Sequence, residues 1–262
     1  MPPTGIPVRR PYLFVAGIVA LIAAVTLLSA GSAVALPQLP PRVPEFLAEL
    51  ILALSAITLL AALRAWRNVG FRALPRVIDL RLYWIPLLPV LPGVAAAVVS
   101  LSSSRFQDLV VFSVLALFIG FVEEVFFRGL ILQALVPQGL WRAAIVSSVL
   151  FGLMHSLNLL FDADPAATLL QVVYATAMGF GFAAVTLRTG VLWPLIVVHT
   201  VIDFTGFATS ERTVRTDVTP TDIVIGVLYT VVFVAYGILM MRSVTRRRAV
   251  LRTHPVEADL RS

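Results

Sequence analysis

Residues 109–135 read LVVFSVLALFIGFVEEVFFRGLILQAL, a long apolar run whose only charged side chains are Glu123, Glu124 and Arg128. A helix needs about 20 apolar residues to cross the hydrocarbon core of a bilayer, and this run is long enough. Polar and apolar residues do not alternate along it, which favours a helix over a strand of a membrane barrel. The stretch therefore predicts a transmembrane helix that carries charged groups at membrane depth.

The composition of the whole chain extends this prediction. Hydrophobic residues make up 59% of the 262 residues and charged residues only 13%, and the mean hydropathy is +0.96. A soluble domain is about half apolar and about a quarter charged. Because every backbone polar group in hydrocarbon must be hydrogen-bonded internally, we expect an all-α, polytopic integral membrane protein. The chain has no cysteine, so it has no disulfide and no cysteine nucleophile or metal ligand.

Apolar stretches predict about eight transmembrane helices, at residues 11–35, 45–63, 83–101, 109–135, 142–160, 167–187, 190–208 and 222–241. Pro86, Pro89 and Pro92 predict irregular backbone near the start of the third span. Arg9, Arg10 and the small residues at 33–35 also fit a cleavable signal peptide, and cleavage would leave seven spans.

The arginines predict the orientation of these spans. Of the 20 arginines, 15 fall on one side of the predicted topology and four on the other. The positive-inside rule then places a multi-pass protein in the cell membrane with both termini in the cytoplasm. The net charge of +6 is explained by this flanking pattern, so we expect no nucleic-acid partner. We divide the chain into N-terminal spans (1–104), a central core (105–208), a last span (209–241) and a basic, mobile tail (242–262).

Ionisable groups at membrane depth are the strongest functional signal, because each costs roughly 2.5–3.5 kcal/mol to insert. The candidate site residues in the predicted spans are Glu123, Glu124, Arg128, His155, His199 and Asp203. Residues four apart share a helix face, so we expect Glu124 to pair with Arg128, and His199 to lie beside Asp203. Counted from the span ends, three helices present these groups in one layer, roughly 14–21 Å deep.

Other interpretations of these groups stay open. An intramembrane histidine often serves only as a hydrogen-bonding group between helices, and a Glu–Arg pair can neutralise itself and fix packing. Acidic residues and histidines at the membrane midplane also form the proton or ion relays of transporters. A non-catalytic membrane scaffold is a further alternative.

Three motifs made of these residues resemble a known family. Residues 123–128 read EExxxR, residues 151–155 read FxxxH and residues 199–203 read HxxxD. The segments GFGFAAVTLRTG (179–190) and LWP (192–194) add to the likeness, which covers about residues 105–208. In this order and spacing the motifs resemble the CPBP family, the CAAX proteases and bacteriocin-processing proteins once called Abi.

The resemblance implies an intramembrane endopeptidase whose polar cavity opens toward the cytosol. A non-catalytic scaffold or a bacteriocin-immunity protein that retains the fold is the alternative. Glu123 would be the principal catalytic carboxylate, with Glu124 and Arg128 supporting it. His155, His199 and Asp203 would complete the site. Many family members carry Asn at the last position, whose amide can donate a hydrogen bond to an oxyanion. An ionised Asp203 cannot donate, so this residue orients His199, binds metal or stays protonated.

The residues favour hydrolysis by activated water. Ser147, Ser148 and Ser156 have no base at motif spacing and fit small-residue helix packing better. Glu123 would act as general base toward water, and the two histidines would polarise the carbonyl or hold the water. Two histidines and a carboxylate with one open position are also a zinc ligand set. The sequence does not decide whether zinc or another divalent metal takes part, and the candidate ligands are Glu123, His155, His199 and Asp203.

The expected partners follow from this interpretation. They are the lipid bilayer and a peptide or protein substrate that enters from the membrane or the cytosol.

Overall fold

The computed structural model of the protein describes residues 5–40, 42–71, 77–91, 94, 106–210 and 218–253. These residues form helices and turns with no β-strand among them, which confirms the predicted all-α membrane fold. The α-helices are α1 (Pro11–Ala35), α2 (Arg42–Ala62), α3 (Val77–Leu80), α4 (Phe106–Glu123), α5 (Leu132–Leu135), α6 (Leu140–Met154), α7 (Pro165–Thr189), α8 (Trp193–Ser210) and α9 (Pro220–Thr253). A π-helical segment, Glu124–Ile131, joins α4 to α5, and 3-10 turns follow α3 (Arg81–Tyr83), α5 (Val136–Gln138) and α6 (His155–Phe161).

Most predicted spans coincide with helices of membrane length. In the described part, six helices are long and apolar enough to cross a bilayer: Pro11–Ala35, Arg42–Ala62, Gln107–Gln138, Leu140–Phe161, Pro165–Thr189 and Pro220–Ala249. The apolar part of α8, Trp193–Ala208, is shorter than these. Most of the third predicted span lies outside the described residues. At its start the backbone forms turns over residues 84–89, where Pro86 and Pro89 predicted irregular structure.

The central helix of the bundle is α7, which packs against α6 and α9. It starts at Pro165, and the Asp164 side chain caps it by accepting a hydrogen bond of 2.8 Å from the Ala167 N–H. It ends at Gly190, whose φ of +69° is the left-handed conformation that glycine adopts easily at helix ends. The C-terminal half of α7 is buried and rich in glycine and alanine, which let neighbouring helices approach closely.

The pairing of α4 with α8 places the site. A Cβ added to Gly120 of α4 would lie 2.9 Å from the backbone N of Thr200 in α8, so only glycine permits this separation of the two helices. Close approach here brings the end of α4, with its two glutamates, beside the middle of α8. On the other side of α4, α2 packs against α4 and α1 packs against α2.

The first helix has an internal face of its own. Val15, Ile18, Ile22 and Val25 recur at helical spacing on α1 and are buried. Ahead of α1, the Ile6 N–H donates a hydrogen bond of 3.0 Å to the Gln133 carbonyl, and the Ile6 side chain is 1% exposed. In the folded chain α1 is thus part of the bundle. The signal-peptide alternative stays a prediction.

The last helix extends into the predicted basic tail. α9 continues as helix from Met241 to Thr253, so the first part of the tail is helical. The physical reason is that arginine is a good helix former, so loss of hydrophobicity ends the membrane span without ending the helix. Residues 254–262 of the predicted tail lie outside the described residues.

Candidate active site

A change of helix type occurs at the first motif. From Glu124 to Ile131 the chain is π-helical, and the Leu132 N–H donates to the carbonyl of Phe127, five residues back. The hydroxyl of Ser147 in α6 donates a second hydrogen bond of 2.7 Å to the same carbonyl. Single π-helical turns inside α-helices are frequent at functional sites. The sequence interpretation assumed an α-helix here, and no residue pattern signalled otherwise.

Glu124 and Arg128 form the buried ion pair that their four-residue spacing predicted. Arg128 Nη1 lies 3.0 Å from Glu124 Oε1, and the two side chains are 1% and 0% exposed. The guanidinium also stacks on aromatic rings, with Cζ 3.9 Å from the centre of Phe151 and 5.4 Å from that of Phe182. The ion pair and the stacking offset part of the cost of burying these charges, although Glu124 Oε2 and both Nη atoms of Arg128 have no hydrogen-bond partner among the described residues.

His199 joins the two glutamates. Its Nδ1 lies 2.8 Å from Glu124 Oε1, and its Nε2 lies 3.2 Å from Glu123 Oε2. Since Glu124 is an ionised acceptor beside Arg128, the His199 Nδ1–H is the donor in the first contact. The His199 Nε2 is also 3.9 Å from Asp203 Oδ1, one helical turn along α8. Four of the predicted site residues therefore form one chain of contacts, from Arg128 through Glu124 and His199 to Glu123.

Exposure divides this chain into two sides. We call Glu124 and Arg128 the closed side, because both are almost fully buried. We call Glu123 and Asp203 the open side, because their side chains are 27% and 21% exposed. His199, which is 3% exposed, lies between them. Water and substrate can reach only the open side, so any chemistry of this site occurs there.

His155 lies beside this group without bonding to it. It sits at the C-terminal end of α6, where the helix tightens into a 3-10 turn. Its Nδ1–H donates a hydrogen bond of 2.9 Å to the Phe151 carbonyl. Among the described residues, no hydrogen bond or ion pair joins His155 to the other five candidates. The two histidines share a neighbour instead, since the Phe151 ring lies 4.9 Å from His155 and 5.9 Å from His199, both edge-on.

The three serines considered as nucleophiles are engaged elsewhere. Ser147 donates to Phe127, Ser148 donates to the Ala144 carbonyl at 2.6 Å, and Ser156 donates to the Leu153 carbonyl at 2.7 Å. Each hydroxyl thus hydrogen-bonds a backbone carbonyl, as expected of helix-packing serines.

The sequence interpretation missed several residues around the site. Glu49 of α2 was left out of the set of intramembrane charges, although it lies inside the second predicted span. Phe182 of α7 was also missed, and its ring lies 6.1 Å from that of His199. The signal for Glu49 was available, since a carboxyl inside a span is as informative as those of the motifs. Phe182 had no signal, because aromatic residues are common in apolar helices.

Gly179 is where α7 makes room for the Arg128 side chain. A Cβ at this position would lie 3.1 Å from Phe151 Cδ1 and 3.3 Å from Arg128 Nη2. We expect Gly179→Ala to lower thermal stability in detergent by about 1–2 kcal/mol, because overpacking forces these groups to move. Gly17→Ala is the matched control, since a Cβ there meets nothing within 4 Å. Equal stability of the two variants would contradict tight packing around Arg128.

Support for the site also comes from α9. Phe233 is fully buried, and its ring lies 6.1 Å from that of Phe182. We predict that Phe233→Leu lowers stability by about 1 kcal/mol in thermal unfolding, as imperfect volume swaps in a core do. Val231→Leu on the exposed face of the same helix is the control. If both variants unfold at the wild-type temperature, α9 does not hold the site together.

The observed donors do not form a preformed metal site. In the described part of the chain, no three His, Asp or Glu side chains converge with metal-ligand geometry. Both ring nitrogens of His199 face carboxylates, and the Nδ1 of His155 is held by a backbone carbonyl. A structural or catalytic zinc needs at least three protein ligands, each about 2.0–2.2 Å from the ion.

The fold and the site together define a class of protein. The class is an all-α polytopic membrane protein that brings carboxylates and a histidine together in one polar site. In comparison with known families, residues 105–205 match the family model described as type II CAAX prenyl endopeptidase, Rce1-like. The match covers the stretch that carries the three motifs, so the resemblance that these motifs indicated is confirmed. No curated protein matches the chain significantly.

Proposed function

We propose that the protein is an intramembrane endopeptidase that hydrolyses a peptide bond with water activated by Glu123. The observation that carries the proposal is the position of His199 between the buried Glu124 and the partly exposed Glu123. A general base must reach water, and of the two glutamates only Glu123 is exposed. The family of the core supports a CAAX-protease-like peptidase at this level of detail.

The proposed reaction takes place on the open side. Glu123 accepts a proton from water while the water oxygen attacks the carbonyl carbon of the scissile bond. The resulting tetrahedral intermediate carries negative charge on oxygen, which nearby donors must stabilise. When the carbon–nitrogen bond breaks, Glu123 returns its proton to the leaving amine.

The histidines have separate roles in this proposal. His199 is flanked by carboxylates on both nitrogens, which favours a doubly protonated ring, and its positive charge stabilises the oxyanion. Glu124 and Arg128 fix the ring from the closed side. His155 uses its Nδ1–H on a backbone carbonyl, so its Nε2 carries a lone pair and can accept a hydrogen bond from the attacking water.

We further propose that the protein lies in the cell membrane with both termini in the cytoplasm. The excess of arginine on one predicted side of the spans supports this orientation. The substrate would be a peptide or protein that reaches the site from the membrane or the cytosol. Labelling of single cysteines introduced at each terminus, in intact and opened cells, tests the orientation.

Cleavage by the purified protein tests the proposed function. Protein in liposomes is incubated with a mixed peptide library that includes prenylated CAAX peptides, and products are identified by mass spectrometry. We expect cleavage by the wild type and cleavage slower by about 10³-fold in Glu123→Gln. If no peptide is cleaved by the wild type, but Glu123-dependent solute flux is found, the site belongs to a transporter instead.

Assistance of the reaction by zinc or another divalent metal is a separate proposal, which rests on the sequence alone. It is tested by measuring the metal bound to the purified protein and the peptidase activity after chelation. Full activity in metal-free protein would rule it out, whereas loss that zinc restores would establish it.

A further inference from the structure

The segment ahead of α1 is held against one end of the helix bundle. The Ile6 N–H donates to the Gln133 carbonyl at 3.0 Å, and the Asn68 side chain donates a hydrogen bond of 3.1 Å to the Gly5 carbonyl. A Cβ on Gly5, whose φ is +78°, would lie 2.8 Å from the same Gln133 oxygen. Residues 5–10 therefore have a fixed place beside the first turn of α1.

A pocket lies where this segment meets α1. Its volume is about 640 Å³, which is within the range of small-molecule sites. Its lining residues are Val8, Arg9, Arg10, Leu13 and Phe14. Val8 and Phe14 pack against the core of the bundle, whereas the two arginines are exposed. Within the residues that the structure describes, neither guanidinium forms a hydrogen bond or an ion pair. The pocket thus presents two unpaired positive charges beside apolar side chains.

This lining matches a ligand that has both a negative charge and an apolar chain. Arginine binds phosphate oxygens through two parallel N–H donors. Leu13 lies in the first turn of the span and is 63% exposed. Ala16 and Ala20 follow on the same exposed side of α1, and their small side chains leave room for an acyl chain along the helix.

We propose that this pocket binds an anionic phospholipid, with its phosphate at Arg9 and Arg10 and one acyl chain along Leu13, Ala16 and Ala20. The proposal is independent of the proposed peptidase function, because the pocket shares no residue with the candidate active site. It assigns a specific lipid site to arginines that the sequence explained only as determinants of orientation.

Two other occupants fit the pocket less well. A face of small residues on a membrane helix can also pack against a second helix. A second copy packed in the same orientation would bring its own Arg9 and Arg10 to the same end, and like charges placed face to face oppose association. Inorganic phosphate would use the two guanidinium groups but leave the apolar lining without a partner. The combination of charge and apolar surface therefore favours a phospholipid.

Titration of the full-length protein with lipid tests the site. Purified protein in detergent is titrated with fluorescent phosphatidylglycerol, and with phosphatidylcholine as the lipid of zero net charge. We expect the Kd for phosphatidylglycerol to rise about 25-fold in Arg9→Gln/Arg10→Gln, since each arginine near an anionic lipid contributes about fivefold. Arg246→Gln/Arg247→Gln, an adjacent pair of exposed arginines on α9, is the matched control and should change this Kd by less than about twofold. Equal losses from both pairs, or equal affinity of the wild type for the two lipids, would overturn the proposal.

Two further arms separate the lipid from its rivals. Leu13→Gln should weaken binding of phosphatidylglycerol about fivefold, because the acyl chain loses apolar contact. If this variant binds the lipid like wild type and inorganic phosphate competes at equal affinity, the pocket takes the free anion and the proposal fails. A dimer that forms as lipid is removed and that Ala20→Leu disrupts, with no change in lipid affinity, would assign the surface to a second copy.

A charge-conserving variant guards against a change of membrane insertion. Arg9 and Arg10 also help to orient α1, so Arg9→Lys/Arg10→Lys keeps both charges while removing the planar groups that bind phosphate at two points. Its Kd for phosphatidylglycerol should fall between those of the wild type and of the glutamine pair. Affinity equal to that of the wild type would show that no specific phosphate contact is made, and the proposed site would be wrong.

Discussion

Replacing Glu123 with glutamine is expected to lower kcat for peptide cleavage by about 10³-fold, within the range for loss of a general base. Glutamine keeps the size and shape of the side chain but cannot accept a proton from water. Because Glu123 is the exposed member of the acidic pair, no other glutamate of the first motif can take over this role. Cleavage of a fluorogenic peptide in liposomes, measured at saturating substrate, gives the value.

The stability of the same variant is expected to stay close to that of the wild type. Loss of the Glu123 charge removes its attraction to His199, 3.2 Å away, but also its repulsion of Asp203. A residue whose loss abolishes activity without destabilising the fold serves function and not packing. Asp108→Asn, in the first turn of the same helix, is the matched control and should leave both quantities unchanged. Cleavage by Glu123→Gln within tenfold of wild type would show that another group activates the water.

The closed side of the site could be predicted from the sequence. Residues four apart on a helix share a face, so the spacing of Glu124 and Arg128 was enough to predict their pairing. The spacing of His199 and Asp203 likewise placed them on one face of α8. Local geometry of this kind does not depend on the rest of the fold, which is why these expectations agree with the structure.

Contacts between helices could not be predicted in the same way. Which nitrogen of His199 meets which glutamate depends on the separation of α4 and α8, and that separation is set by Gly120. The position of Glu49 depends on the register of α2, fixed by Arg42 and aromatic rings far along the chain. Hydropathy reports that a segment lies in the membrane, but it carries no information about which neighbour it packs against.

His155 shows the limit of the depth argument. Counting residues from the span end placed it in the same layer as the other groups, but its ring bonds to the Phe151 carbonyl and not to them. Depth along a helix is one coordinate of three, and the direction in which a side chain points is set by packing. The 3-10 turn that starts at His155 changes that direction at the residue itself.

Replacing Arg128 with methionine is expected to destabilise the protein by about 3–5 kcal/mol, the usual result of leaving a buried charge without its partner. Methionine fills a similar volume, so the loss reports the charge and not a cavity. Glu124 is fully buried, and its remaining partner is His199. The histidine cannot replace both the charge that the guanidinium places beside Glu124 and its stacking on Phe151 and Phe182. Thermal unfolding in detergent micelles, followed by intrinsic tryptophan fluorescence, gives the difference from wild type.

A second substitution separates the charge from the shape. Adding Glu124→Gln to Arg128→Met removes the uncompensated charge, so the double variant should recover more than half of the lost stability. Arg128→Lys keeps the charge but not the planar group stacked on Phe151, and it should fall between wild type and Arg128→Met. If the double variant is no more stable than Arg128→Met, the ion pair does not contribute to the stability of the protein. The stability lost in Arg128→Met then comes from the stacking of the guanidinium on Phe151 and Phe182. Because His199 depends on Glu124 for its orientation, the double variant, which lacks the Glu124 carboxylate, is expected to lose peptide cleavage whatever its stability.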